Sequence, residues 1–147
     1  MKDHFKLLFT GKNRLITWML LLLGFLAIGA VFIAGTSNIS PMGMFTLYAG
    51  GALMIAAFFH IWKRWQYFLV LFLVFLVAVP FFILLHNVFY GLSELYPEAW
   101  FTGIFKSLEG ITFVLAVIVF PPGVIVGVVG AVIAFIREKK SGEHLGD

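Results

Sequence analysis

Four stretches of this chain, Leu15–Ala34, Met42–Phe59, Tyr67–Leu85 and Ile111–Ile136, contain no Asp, Glu, Lys, Arg or His. A helix that is apolar on every side is stable only where everything around it is apolar. About 20 such residues, at a rise of about 1.5 Å each, cross the roughly 30 Å hydrocarbon core of a bilayer. These stretches therefore commit the chain to lipid. Composition agrees: 62% of residues are hydrophobic and 12% charged, where a soluble domain carries about 25% charged residues. With 147 residues there is room for one domain, and with no Cys there is no disulfide, thiolate metal ligand or thiol redox chemistry.

The first span is expected over 15–34. Lys2, Lys6, Lys12 and Arg14 precede it, and its apolar run exceeds the roughly 7–15 residues of a signal peptide, so it reads as a retained span. Gly35–Pro41 is an uncharged turn of Gly, Ser, Asn and Pro in which Pro41 can open the next helix, making spans one and two an antiparallel hairpin. The second span, 42–62, ends in His60, Trp62, Lys63, Arg64, Trp65 and Gln66, a mixture of interfacial aromatics and basic anchors. The third, 67–89, carries Pro80, which frees the carbonyl of Leu76 and predicts a kink. The fourth, 111–136, is longer than a straight crossing needs; Pro121 and Pro122 free the carbonyls of Val117 and Ile118 and predict a bend. Arg137, Glu138, Lys139 and Lys140 stop it, and 141–147 is a polar tail.

Between spans three and four, Phe101, Ile104, Phe105 and Leu108 recur at helical spacing after Pro97, with Glu98, Thr102, Lys106 and Glu109 on the other face. This predicts a short amphipathic helix over 97–109 lying in the membrane interface, with Tyr90, Tyr96 and Trp100 at headgroup depth. A rival parse starts the fourth span near Phe101 and ends it at Pro121. It buries Lys106 and Glu109, at about 2.5–3.5 kcal/mol each if central. The expected fold is thus an all-α polytopic membrane protein: a four-transmembrane-helix bundle with an interfacial helix between helices three and four. Putting both termini and the loop between spans two and three on one side gathers nine of the ten Lys and Arg residues there, leaving only Lys106 opposite. By the positive-inside rule that side is cytoplasmic, in the cell (inner) membrane.

Candidate functional residues are few. His86 and Asn87 with Glu94, Glu98 and Glu109 could meet at the outer surface as a metal site or an acid–base group, yet His86 and Glu94 are eight residues apart, wider than the three or four of a helix-borne ligand pair. His86 also continues a stripe of Phe68, Phe72, Phe75, Val79 and Phe82 that reads as a packing ridge. No cofactor and no metal are expected. The freed carbonyls at Pro80, Pro121 and Pro122 could coordinate ions in a carrier, but the spans supply no ionisable partner, so bends are the expected role. Gly123, Gly127, Gly130 and Ala131 form a small-residue face for close helix contact, and Ala49, Gly50, Gly51, Ala52 and Ala56 form another. His60 reads as an interfacial anchor, and Lys63 and Arg64 with the basic termini as contacts for anionic headgroups.

In size and helix number the chain is similar to the small multidrug carriers, but these carry a carboxylate in the first span and Leu15–Ala34 has none. In length it is also similar to the membrane-associated enzymes of eicosanoid and glutathione metabolism; against their Arg-, Asn- and Glu-bearing helix motif it offers only HNVFYGLSEL at 86–95. Neither similarity transfers a residue. The functional expectation is a non-enzymatic accessory or assembly subunit of a membrane complex, with lipid and other membrane subunits or further copies of itself as partners and no nucleic acid. The alternatives are an interfacial enzyme acting on a lipophilic substrate and a small oligomeric channel or transporter.

Overall fold

A computed structural model describes residues 6–34 and 40–143, with side chains described as far as Lys140. The described residues hold helices α1 (Gly11–Ala34), α2 (Pro41–Phe59), α3 (Trp65–Leu95) and α4 (Thr102–Val114), a π-helical turn (Leu115–Val119) and α5 (Phe120–Glu143). Four helical stretches are long and apolar enough to cross a membrane, the last being Thr102–Lys140. Most of the turn expected at Gly35–Pro41 (residues 35–39) and the end of the tail (144–147) lie outside the described residues; the tail's first part is helical to Glu143.

Local chemistry sets the helix ends. Gly11, at φ 54°, adopts the left-handed conformation that folds residues 6–8 back, and buried Thr17 places its hydroxyl 3.0 Å from the Leu8 carbonyl. Ser40 caps α2, its hydroxyl accepting from the Gly43 N–H at 3.1 Å, and Pro41 fills the first turn, where no N–H is needed. Helix α2 ends at Phe59, three residues before the expected end of the second span. Helix α3 passes unbroken through the exposed Pro80 to Leu95, six residues past the expected Phe89. At about 1.5 Å per residue its 31 residues measure about 46 Å, more than the hydrocarbon core.

The separate interfacial helix is not found. Residues 97–101 are turns, the helix begins at Thr102, and it continues without an end into the fourth span. The double proline does not terminate it either. A π turn precedes Pro121, the Phe120 N–H bonding five residues back to the Leu115 carbonyl, and α5 follows directly. The apolar side of 101–108 packs in part on α3: the Phe89 and Phe105 rings stack with centroids 6.2 Å apart, and Phe101 lies between Tyr96 and Phe105 at 6.0 and 5.3 Å, while Ile104 stays exposed. A helical period reports an apolar face but not what covers it.

The helices form a row in the order α1–α2–α5–α3. Helix α1 packs on α2, α2 on α5, and α5 with α4 along α3; α1 makes no comparable contact with α3 or α5. Chain direction makes α1/α2 and α5/α3 antiparallel and α2/α5 parallel. The buried core, Phe68, Leu71, Val126 and Ala134, sits where α5 meets α3, with Ala52, Ile55, Ala56 and Phe59 of α2 against it.

Candidate functional site: an apolar trough with a basic mouth

Helix α5 carries two neighbouring stripes one residue apart. The first, Gly123, Gly127 and Gly130, receives the ridge of α3. A Cβ on Gly123 would lie 2.6 Å from the Phe75 ring, one on Gly127 would lie 2.6 Å from the Phe72 Cα, and one on Gly130 would overlap the Phe68 ring. Three phenyl-bearing residues of α3 thus seat in three notches that only glycine leaves open. The ridge continues upward, Phe75 and Phe82 meeting Phe120 at 5.7 and 4.8 Å and His86 meeting Phe113 at 5.3 Å.

The second stripe, Pro122, Val126, Val129 and Ile133, faces α2. At its start Pro122 is fully buried against Gly51, where a Cβ would come 3.0 Å from the proline Cγ. Around that contact α2 offers Ala49, Ala52 and Ala56, whose single methyl groups leave space beside the branched side chains of α5. Between them lies a trough of about 1020 Å³, at the upper end of the roughly 300–1,000 Å³ usual for ligand pockets.

The mouth of the trough is built by the connector and both chain ends. Helix α2 closes with the His60 N–H on the Ala56 carbonyl at 2.8 Å, and the Trp62 N–H bonds the Phe59 carbonyl at 3.0 Å. The Trp62 ring fixes the turn among Phe59, Tyr67 and Phe68, at centroid distances of 4.5, 5.6 and 5.4 Å. Lys63 and exposed Arg64, extended at φ −92° and ψ 127°, follow. Asn13 from α1 and Arg137 and Glu138 from α5 complete the rim. Basic residues distant in sequence therefore share one end of the molecule, and the trough opens among them.

His60 is the unusual member. Its Nδ1 lies 3.0 Å from the Ala57 carbonyl and so carries the hydrogen. Its Nε2 is buried and has no hydrogen-bond partner, although other atoms of the residue line the same mouth. A buried acceptor left without a donor costs about 1–3 kcal/mol, which a group entering the mouth with a hydrogen-bonding atom would recover.

At the other end, the residues singled out from sequence do not converge. His86 directs Nδ1 at the backbone carbonyl of Glu109, 3.2 Å away, not at its carboxylate. Buried Thr112 donates its hydroxyl to the Leu108 carbonyl at 2.8 Å, with the Glu109 carbonyl at 3.0 Å. His86 thus ties α3 to α4. Asn87, Glu94 and Glu98 are exposed, and no group of three or more His, Cys, Asp or Glu able to hold a metal occurs among the described residues. Thr102 caps the hairpin by donating to the Tyr96 carbonyl.

Sequence reasoning passed over Gly24, which crosses α2 at Gly50: a Cβ on Gly24 would lie 2.8 Å from the Gly50 carbonyl oxygen. Gly24 has Leu20 and Ile28 four residues to either side, so it lacks the four-residue repeat that marks such faces. The second miss was His60, whose unpaired nitrogen only a fold can reveal. Comparison with protein-family models, curated proteins and solved structures finds no match to the chain.

Proposed function

We propose that this chain is a non-enzymatic accessory or assembly subunit of a larger membrane complex, lying in the cell (inner) membrane with both termini cytoplasmic. The row arrangement carries this reading. Among the described helices α1 packs extensively only on α2, and the two broad sides of the layer present apolar side chains, among them Phe25, Phe32, Phe45, Val74 and Phe81, all more than half exposed. A layer one helix thick offers long lateral surfaces to neighbouring membrane helices. The gathering of Lys63, Arg64 and Arg137 at the end shared with Asn13 supports the orientation.

Purification from native membranes in a gentle detergent, followed by mass spectrometry of co-purifying chains, tests the proposal. A stoichiometric membrane partner is expected, and a monodisperse chain without one overturns it. Orientation is read separately, because the chain has no Cys: in intact cells Lys106→Cys should react with an impermeant maleimide, and Lys139→Cys only after permeabilisation.

A further inference from the structure

We infer that the trough between α2 and α5 holds one anionic glycerophospholipid, taken from the leaflet at the connector end, with an acyl chain along the helices, its phosphate at Lys63 and Arg64 and a headgroup hydroxyl at His60. This site is independent of the protein partner proposed above and stands whether or not that partner exists.

Three observations point to this occupant. The first is length. The trough follows α2 from Ala49 to His60 and α5 from Ile125 to Glu138, which at about 1.5 Å per residue is about 16 and 20 Å. One leaflet of the hydrocarbon core is about 15 Å deep, so the trough matches the depth of a single acyl chain and stops where that chain would stop. A membrane-crossing helix from another protein would need about twice that length.

The second is the distribution of polarity. The shaft is alanine and branched aliphatic side chains, and charge is confined to the mouth, where Lys63, Arg64 and Arg137 outnumber the one acid, Glu138. An apolar tail with an anionic head complements both parts; a zwitterionic head offers the same phosphate but also brings a cation to a mouth that already holds more basic than acidic groups. The third is the His60 imidazole. Its Nδ1–H is occupied by the Ala57 carbonyl, leaving Nε2 buried and unpartnered at the mouth. That nitrogen can accept from a headgroup hydroxyl, such as those of a glycerol head, and so gain the bond that the protein does not supply.

Native mass spectrometry of the full chain in detergent tests this, with phosphatidylglycerol and phosphatidylcholine of identical acyl chains titrated separately. One phosphatidylglycerol per chain is expected to stay bound under conditions that strip phosphatidylcholine. The exposed pair Lys63→Ala with Arg64→Ala should weaken phosphatidylglycerol about thirtyfold, the factor two basic residues contribute at an anionic surface, and weaken phosphatidylcholine by much less, so that the preference shrinks. Val129→Phe, at a half-exposed position on the shaft wall, should weaken both lipids by obstructing the tail, with the thermal midpoint as the control for folding. Equal retention of the two lipids, an unaltered preference in the Lys63/Arg64 variant, or a lipid-free dimer closing the trough would each overturn the inference; because Lys63 and Arg64 are surface residues, their test holds even where Val129→Phe does not fold.

Discussion

Helix α5 meets α3 on one side and α2 on the other, and it uses small residues in opposite ways on the two. Against α3 the glycines are on α5 itself, and every notch is filled by a phenyl-bearing residue. Against α2 the small residues are the alanines of the partner, α5 supplies branched side chains, and the helices touch at Gly51 and Pro122 with a trough left open beside that contact. Small residues permit close approach, but they bring it about only when the facing side chains are shaped to use the space. Where they are, the result is a seam; where they are not, it is a cavity.

The strongest way to break this contrast is at Gly127. A Cβ there meets the Phe72 backbone, which no side-chain rotation can move, so Gly127→Val should destabilise the chain by about 3 kcal/mol, the upper part of the usual overpacking range. Truncating Phe72 should not rescue it. At Gly130 the obstacle is the Phe68 ring, so Gly130→Ala should be largely rescued by Phe68→Leu. Reversible unfolding in mixed micelles measures both, and rescue at Gly127 but not Gly130 would invert the assignment of backbone and side-chain contacts.

A smaller effect is expected where the α3 ridge runs out of glycine and ends on a polar contact. His86→Phe keeps a ring against Phe113 but removes the bond to the Glu109 carbonyl, which still has its other contacts; the loss should be about 1 kcal/mol. A larger loss would mean that His86 does more than join two helices.

The smallest effect belongs to the α2 side. Gly51→Ala brings a methyl to 3.0 Å from the Pro122 ring, a contact relieved by a few tenths of an ångström, while alanine improves helix propensity by up to about 1 kcal/mol. Stability should change by less than about 1 kcal/mol in either direction, and thermal melting of the variant in detergent would reveal a loss comparable to that of Gly127→Val if α2 and α5 were as tightly seamed as α5 and α3.

Several elements are legible in the amino-acid order alone. The four apolar runs, the basic residues between them, the ridge of Phe68, Phe72 and Phe75, and the small-residue stripe at Gly123, Gly127 and Gly130 are all visible as composition or period. The candidate site is hardly legible. Its lining comes from both chain ends, the 60–64 connector and two helices far apart in sequence, and its most telling atom, His60 Nε2, is notable for a missing bond, which no sequence pattern encodes. The outer residues stand out because polar groups are rare in this chain, yet rarity does not bring them together: His86 meets a backbone carbonyl, while Glu94 and Glu98 stay exposed.

The sequence by itself determined that the chain has four membrane-length helices, because the cost of burying charge and the length needed to cross lipid act on each segment alone. The tertiary structure decided how those segments are used. Whether the apolar face of 101–108 meets headgroups or α3, whether Pro121 and Pro122 end a helix or pass through a π turn, and whether a small-residue stripe closes into a seam or leaves a trough all depend on which surface arrives opposite, and periodicity along one helix carries no record of the other.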